Sequence, residues 1–310
     1  MKKWKYLLKV VMAVGVIAMT AVQICAAAEG TAQAAVSEVT PVSISTNEIS
    51  GWPAGPEITS ETGVLMDADS GTLLYSKGGD EIRYPASITK IMTLLLAVEN
   101  CSLKEDVVFT ETGTRDISWD SGNIGMQVGE VMSMRACLYA LVIRSANEVA
   151  AQIAEHVGGT EQHFVDMMNE RAAQIGCTNT HFVNANGLHS EDHYTTAYDL
   201  YLMFNAAMQH EEFLQMLQEK EYQASYQAAD GTTVEAVWST TNQFTKGDVT
   251  VPDGVTAVGG KTGTTTAAMS CLVQLFEDVQ GEQYVAIILG CKERGTLYQE
   301  MLTFLSNLNN

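Results

Sequence analysis

The spacing of apolar residues predicts a β-hairpin followed by a buried helix in the first third of the chain. Two apolar runs, Val64–Ala68 and Thr72–Ser76, flank Asp69-Ser70-Gly71, and a turn of this composition between such runs is typical of a hairpin. The next apolar segment continues from Ser87 to Val98 with few polar interruptions. A run of that length predicts a helix that is buried on most of its sides.

Helical spacing dominates the middle of the chain, after a mixed region at residues 101–132 that suggests short strands or loops. Apolar residues three and four positions apart predict four helices, at Ser133–Arg144, 148–156, Glu161–Ile175 and Thr196–Met208. Because these helices lie between strand-rich ends, we expect them to form a lobe of their own.

The pattern changes again near the C-terminal end. Three runs rich in Val, Ile and Leu predict strands at Val255–Gly260, Ala268–Phe276 and Gln283–Cys291. A last helix is predicted from the spacing of Leu297, Met301, Phe304, Leu305 and Leu308. The whole pattern predicts an α+β fold, in which the hairpin and the C-terminal strands share an antiparallel sheet flanked by helices.

Composition and charge narrow the classes of function. The chain has 310 residues, of which 46% are hydrophobic, enough to bury a core of ordinary globular size. Its formal net charge of −20 argues against nucleic acid or an anionic membrane surface as a partner. No two of the six cysteines stand at metal-ligand spacing, so we interpret them mainly as small buried side chains.

The N-terminal residues differ from the rest of the chain. Basic residues near Met1, a mostly apolar run at Leu7–Ile24 and the small residues Ala26-Ala27-Ala28 predict a secretory signal peptide over residues 1–28. A retained anchor helix is the alternative. Residues 29–59 are rich in Ala, Ser, Thr, Pro and Gly and predict a linker or loosely packed arm. Residues 60–310 are expected to form the folded domain, outside the cytoplasm.

Ser87 and Lys90 are the first candidate catalytic pair. Three residues apart on a helix, they stand one turn apart on the same face, so a hydroxyl lies beside an amine. Burial favours the neutral form of a lysine, and a neutral amine beside a serine is a base beside a nucleophile. The alternative is structural, with Ser87 capping the helix and Lys90 extending to solvent.

Two further motifs bear on this choice. Ser145-Ala146-Asn147 lies at a break between two predicted helices, where side chains can face a cleft, although a helix cap is the alternative. Lys261-Thr262-Gly263 follows a predicted strand, and its alternative is a solvated edge strand with a glycine bulge. In this order Ser-x-x-Lys, Ser-x-Asn and Lys-Thr-Gly form a signature of penicillin-recognising serine enzymes.

On these motifs the chain resembles the serine D-Ala-D-Ala carboxypeptidases, which are low-molecular-mass penicillin-binding proteins. The resemblance runs from about Trp52 to the C-terminus and includes stretches outside the three motifs, among them Leu65–Gly71, Thr180–Leu188 and His193–Leu200. It implies a β-lactamase/transpeptidase-like fold, no cofactor and no metal. It also implies a peptidoglycan stem peptide ending in D-Ala-D-Ala as substrate, and β-lactams as covalent inhibitors.

The resemblance further implies a role for each motif residue. Ser87 is expected to attack the penultimate carbonyl and form an acyl-enzyme, Lys90 to take its proton, and Ser145 to relay a proton to the departing D-Ala. The backbone N–H groups of Ser87 and Thr264 are expected to form the oxyanion hole. The residues expected to bind substrate are Asn147, Lys261, Thr262, Gly263 and Thr264.

The chain departs from the family pattern at three points. Glu148 stands where members often have Asp, and Thr264 stands where many have an aromatic residue or His. No C-terminal β-domain or C-terminal membrane anchor is expected after the last predicted helix. The histidines of the resembling stretches, His181, His189 and His193, are expected to be structural rather than metal ligands.

Two other functions remain as alternatives. A serine β-lactamase shares the three motifs, but class A enzymes need an extra Glu to activate the deacylating water, and no matching segment stands between Asn147 and Lys261. An inactive wall-binding protein of the same fold is the other alternative, and the intact motif residues argue against it.

Overall fold

Strands from the two ends of the chain meet in one sheet. The structure is a computed structural model that describes residues 55–115 and 121–305. In chain order its strands are β1 (Thr62–Asp67), β2 (Leu73–Lys77), β3 (Asp106–Val108), β4 (Val131–Ser133), β5 (Glu221–Gln227), β6 (Thr233–Ser239), β7 (Val255–Thr265), β8 (Met269–Asp278) and β9 (Gln283–Cys291). Antiparallel pairing gives a five-stranded sheet in the order β2-β1-β9-β8-β7, which confirms the expected union of the hairpin with the C-terminal strands.

Strand β9 explains why the C-terminal strands stand out as continuous apolar runs. Val285 and Ile287 belong to the larger core cluster on one face of the sheet, whereas Ala286 and Ile288 belong to the cluster on the other. Successive side chains of a strand point to opposite faces, so a strand covered on both sides is apolar throughout. The smaller cluster is closed by the last helix, Arg294–Leu305.

Most of the remaining helices pack against the larger cluster and form the predicted lobe, whereas the short helix Gln243–Lys246 places Phe244 in the smaller cluster. Their bounds are Lys90–Asn100, Glu111–Thr114, Met134–Tyr139, Asn147–Gly158, Glu161–Ile175, Ala197–Met208, Glu211–Gln218 and Gln243–Lys246. A 3-10 turn at Ala86–Thr89 precedes the first of them, and a π-helical turn at Ala140–Arg144 follows the third. The four helices predicted in the middle of the chain are therefore present, with the first of them finishing in the π-helical turn.

A second sheet has four strands, in the order β3-β4-β5-β6. Only short strands or loops at residues 101–132 were predicted for this part of the fold. No element is predicted from the sequence in residues 209–254, which contain the β5–β6 hairpin. Ala224 and Trp238 are buried in this hairpin, while most of its other side chains are exposed or half-buried. It packs on the helical lobe through Tyr222, whose ring stacks on Tyr139 with centroids 3.9 Å apart.

A buried carboxylate fastens the start of the described domain to its last helix. Glu300 is 6% exposed and accepts hydrogen bonds from the backbone N–H groups of Thr59 and Ser60, and from the Ser60 hydroxyl. Lys77 donates to the carbonyl oxygens of Ile58 at 2.9 Å and Ser60 at 2.7 Å. Residues 58–60 are therefore packed and hydrogen-bonded.

The predicted signal peptide at residues 1–28, most of the predicted arm, and Leu308 of the last predicted helix lie outside the described residues. Among the helices that the structure does describe, none combines the length and the hydropathy needed to cross a membrane.

Candidate active site

Ser87 lies in a 3-10 turn rather than in the α-helix that the apolar run predicts. The turn spans Ala86–Thr89, and the α-helix begins only at Lys90. Side chains three residues apart are eclipsed in a 3-10 turn, so Ser87 and Lys90 still share a face. Ala86 has a φ of 49°, a left-handed value that a residue with a side chain adopts only when its surroundings enforce it.

A segment from the other side of the lobe supports this turn. A Cβ on Gly187 would lie 1.9 Å from the carbonyl oxygen of Ala86, so the close approach requires glycine. Nδ1 of the buried His193 accepts a hydrogen bond from the Val183 N–H at 3.1 Å, which leaves Nε2 to donate to Thr89 Oγ1 at 2.8 Å. Burial lowers the pKa of His193 to about 4, so the ring stays neutral at physiological pH. The structural role expected for this histidine agrees with these contacts.

Lys90 is 1% exposed and is surrounded by oxygen atoms. Its Nζ lies 3.1 Å from Ser87 Oγ, and it donates to Asn147 Oδ1 at 2.6 Å and to the carbonyl oxygen of Asn186 at 2.5 Å. Burial lowers the pKa of Lys90 well below its usual value, and the positive charge of Lys261 lowers it further. The amine that touches the Ser87 hydroxyl is therefore biased towards its neutral form.

An irregular turn places Ser145 opposite this pair. The π-helical turn ends in Ser145, which has a left-handed φ of 57°, and Ala146 is extended before the next helix begins at Asn147. The Asn147 N–H donates to the carbonyl oxygen of Gly122 at 2.8 Å, and a Cβ on Gly122 would lie 2.6 Å from the Ser145 carbonyl oxygen. The break in helical spacing thus marks a change of chain direction that brings two motif side chains into one site.

Strand β7 supplies the third motif. Lys261 is 2% exposed, and its Nζ donates to Ser145 Oγ at 3.0 Å and to the carbonyl oxygen of Thr262 at 2.8 Å. Burial and then the positive charge of Arg294 lower the pKa of Lys261 to about 7. Thr262 Oγ1 lies 3.3 Å from Thr241 Oγ1. Lys261 can therefore change its charge near physiological pH.

Gly263 lets strand β7 lie directly against the serine turn. A Cβ at this position would be 2.8 Å from the carbonyl oxygen of Pro85 and 3.1 Å from the backbone nitrogen of Ser87. Thr264 follows with an exposed side chain, and its backbone continues the ladder to Ser270. The backbones of Ser87 and Thr264 consequently border the same gap between turn and strand. All eight residues singled out in the sequence thus lie in one region.

Glu148 is a buried carboxylate directly behind the site. Its Oε1 accepts hydrogen bonds from the backbone N–H groups of Ile124 at 2.5 Å and Gly125 at 3.0 Å, while its Oε2 has no hydrogen-bond partner among the residues that the structure describes. Burial raises the pKa of Glu148, and its negative charge acts against the lowering of the Lys90 pKa. The position at which this chain departs from the family pattern is therefore coupled to the candidate base.

The three motifs leave out neighbouring groups that support the site. The Asn186 carbonyl oxygen, Gly187 and the His193–Thr89 contact all support the Ser87–Lys90 pair. The available signal was the stretch Asn184-Ala185-Asn186-Gly187, in which asparagines and a glycine indicate a tight loop.

Comparisons with known proteins indicate the same family as the three motifs. The sequence profile of the D-alanyl-D-alanine carboxypeptidase family matches residues 50–292. The chain is 31% identical over 251 residues to the D-alanyl-D-alanine carboxypeptidase DacF of Bacillus subtilis, an alignment that covers 79% of this chain and 61% of the relative. It is 30% identical over 229 residues to a D-alanyl-D-alanine carboxypeptidase of Streptomyces, covering 70% of this chain and 76% of that protein.

A solved structure extends the likeness to the fold. The crystal structure of the Streptomyces K15 DD-transpeptidase superposes with a TM-score of 0.76 at 25% identity, and the match covers 82% of this chain and 98% of that one. The expected transpeptidase-like α+β fold is thereby confirmed. This chain spans about three fifths of the length of the Bacillus relative, for which the covered share is 61%.

Proposed function

Because the chain belongs to the D-alanyl-D-alanine carboxypeptidase family, we propose that it removes the terminal D-Ala from peptidoglycan stem peptides through an acyl-enzyme on Ser87. The observation that carries the proposal is the position of Lys90, whose almost fully buried Nζ lies 3.1 Å from Ser87 Oγ. A desolvated amine at that distance is placed to take the hydroxyl proton as the serine attacks.

Acylation begins with this proton transfer. Ser87 Oγ attacks the carbonyl carbon of the penultimate D-Ala while its proton passes to Lys90 Nζ. The resulting oxyanion faces the backbone N–H groups of Ser87 and Thr264, which border the gap that Gly263 keeps narrow. Preorganised donors of this kind stabilise the transition state without the cost of reorienting solvent. Asn147 holds Lys90 in position through its Oδ1 and is available to the substrate amide.

Lys261 and Ser145 act on the leaving D-Ala. Ser145 Oγ lies 3.0 Å from Lys261 Nζ and relays a proton to the nitrogen of the leaving D-Ala. The terminal carboxylate binds beside Lys261 and Thr262, and the arriving negative charge favours the protonated form of Lys261. A lysine with a pKa of about 7 therefore gains its charge when the substrate provides a partner for it. This coupling restricts the enzyme to peptides with a free C-terminus.

Mass spectrometry of a pentapeptide-stem muropeptide tests the proposed activity. Incubation with the protein is expected to remove one alanine, and Ser87→Ala is expected to leave the substrate intact. An unchanged muropeptide with the folded wild-type protein would overturn the proposal in favour of an inactive wall-binding protein.

Penicillin separates the proposed carboxypeptidase from a β-lactamase. Both form the Ser87 ester, but the tethered leaving group of penicillin blocks the approach of water, and we expect no dedicated Glu to activate water from another side. A barrier higher by about 5 kcal/mol slows hydrolysis nearly four orders of magnitude. Intact mass measured over time should show a long-lived adduct on the peptide that contains Ser87. Rapid return to the unmodified mass would assign the protein to the β-lactamases.

We also infer that the protein acts outside the cytoplasm after loss of residues 1–28, with residues 29–59 as an arm and residues 60–310 as the catalytic domain. The basic start, apolar run and Ala26-Ala27-Ala28 site support this inference. N-terminal sequencing of the protein from its native cell is expected to give a start close to residue 29. A start at Met1 in the membrane fraction would contradict it.

A further inference from the structure

The two helices that begin at the active site also meet at their other ends. Lys90 opens the helix Lys90–Asn100, and Asn147 opens the helix Asn147–Gly158; these two residues touch at 2.6 Å. Cys101 directly follows the first helix, and His156 lies in the last turn of the second. A second cluster of side chains, at Cys101, Glu105 and His156, therefore joins the far ends of the helices that carry the candidate catalytic groups.

The loop that contributes Glu105 is fixed by hydrogen bonds. The Ser102 N–H donates to Glu105 Oε1 at 2.7 Å, and the carbonyl oxygen of Glu105 accepts from the Met134 N–H at 2.8 Å. Glu105 Oε2 is left facing His156 Nε2 at a distance of 3.2 Å. One oxygen of the carboxylate is thus oriented by the backbone while the other points into the cluster, as is common for metal-binding carboxylates.

We propose that Cys101, Glu105 and His156 bind a divalent cation of the zinc class. The candidate ligand atoms, the sulfur, a carboxylate oxygen and an imidazole nitrogen, all lie within 4.8 Å of one another. Zinc bonds of 2.0–2.3 Å in a tetrahedron separate ligand atoms by about 3.3–3.8 Å, so modest side-chain rotations complete the site. Sulfur and imidazole ligands favour zinc over calcium and magnesium, which prefer oxygen alone.

The position of the cluster gives the bound ion a structural role. The side chains of His156 and Glu105 are 25% and 44% exposed, so the cation can enter and a water molecule can fill the fourth position. It binds at the opposite ends of the two helices from Ser87 and takes no part in the acyl transfer. A tie between these ends stabilises the packing that sets the distance between Lys90 and Asn147.

The site was not visible in the cysteine spacing. Glu105 follows Cys101 by four positions, but His156 comes 51 residues after Glu105 in the chain. Only the packing of the two helices brings the third ligand to the other two.

Cobalt titration of the purified full-length protein tests the proposal independently of its activity. One equivalent of Co²⁺ is expected to produce a near-ultraviolet thiolate-to-cobalt band together with the intense visible bands of a four-coordinate site. Cys101→Ser should abolish the near-ultraviolet band, and Glu105→Gln should weaken binding at least tenfold. The control is Cys177→Ser, which removes another partly buried thiol and should leave the band unchanged.

Thermal unfolding with Zn²⁺ provides the second measurement. Saturating Zn²⁺ should raise the Tm of the wild type and of Cys177→Ser by several degrees, and should not shift that of Cys101→Ser or His156→Gln. Circular dichroism identifies any variant that fails to fold, and Glu105→Gln then supplies the comparison. Absence of the thiolate band in the wild type, or its persistence in folded Cys101→Ser, would overturn the proposal whether or not the protein cleaves muropeptides.

Discussion

Strand β7 and the helix that follows the Ser87 turn each bury a lysine, and the two lysines differ in what surrounds them. Lys90 contacts Ser87, an amide oxygen and a backbone carbonyl oxygen, all of them fixed by the fold. Lys261 contacts the hydroxyl of Ser145 and the carbonyl oxygen of its own neighbour, on the side of the site where substrate arrives. Burial lowers the pKa of both lysines, but the pKa of Lys261, at about 7, still lies near physiological pH.

Two residues of one type can therefore take different parts in one reaction. A lysine whose neutral form is enforced by burial and by a nearby cation suits proton abstraction. A lysine whose pKa lies near physiological pH suits substrate recognition, because a bound carboxylate favours its charged form. The following predictions test that division in order of expected effect.

Replacing the candidate base should have the largest effect. Lys90→Ala is expected to slow acylation by about 10⁴-fold, the upper range for a lost general base. The measurement is the rate of labelling by a fluorescent penicillin, with a melting curve to establish that the variant folds. Labelling at the wild-type rate in a folded variant would rule out Lys90 as the base.

Replacing the candidate anchor should cost less and should depend on the substrate. Lys261→Ala is expected to reduce kcat/KM on a free D-Ala-D-Ala terminus by about 3 kcal/mol, roughly 100-fold. The same peptide amidated at its C-terminus lacks the carboxylate and should lose much less. If the substitution impairs both peptides equally, Lys261 does not bind the carboxylate.

The charge of Lys261 should appear in the pH profile. Below about pH 7 the ammonium form dominates, so kcat/KM on the free terminus should fall as the pH rises through that value. Arg294→Ala removes a cation that lowers this pKa and should therefore move the fall to higher pH. Arg294→Lys keeps the charge and is the matched control. An alkaline limb at the same pH in all three proteins would refute the assignment.

Neutralising Glu148 should have the smallest effect. Its negative charge raises the pKa of Lys90, so Glu148→Gln should lower that pKa further and move the acidic limb of acylation to lower pH. The amide oxygen can still accept from Ile124 and Gly125, and the change in unfolding free energy should stay within about 1 kcal/mol. Glu148→Asp, which retains the charge, should leave the limb in place; a limb that moves equally in both variants would contradict the coupling.

The elements that could be predicted are those whose own residues specify them. Strand β9 is apolar on both faces, and the helix Glu161–Ile175 is bounded by Thr160, which accepts from the His163 N–H, and by Gly176 at a φ of 102°. Both have the predicted bounds. The β5–β6 hairpin was not predicted, because it buries few residues and packs on a lobe that forms only when the chain folds.

Within the candidate site, the sequence predicted which side chains take part but not the backbone conformation that positions them. The three motifs contain Ser87, Lys90, Ser145, Asn147 and Lys261, whose side chains form the hydrogen bonds of the site, yet the residue types of Ala86 and Ser145 do not predict their left-handed φ values. Gly187 and Gly122, which are distant in the sequence, lie against the carbonyl oxygens of these two residues. Strand β7 was predicted to end at Gly260 and continues to Thr265, because its ladder with β8 outweighs the low strand propensity of three glycines.

The hydrogen bonds from Thr59 and Ser60 to Glu300 have a consequence for how the chain folds. The Glu300 carboxylate joins residues separated by 240 positions, so Ser60 can make this contact only after the helix Arg294–Leu305 has been synthesised. Strand β1 likewise finds its partner β9 only after most of the chain is available. Contacts of such sequence separation form slowly. Closure of the sheet therefore requires β9, and the Glu300 contacts require the helix Arg294–Leu305, so the contacts that join the two ends of the domain form late in synthesis.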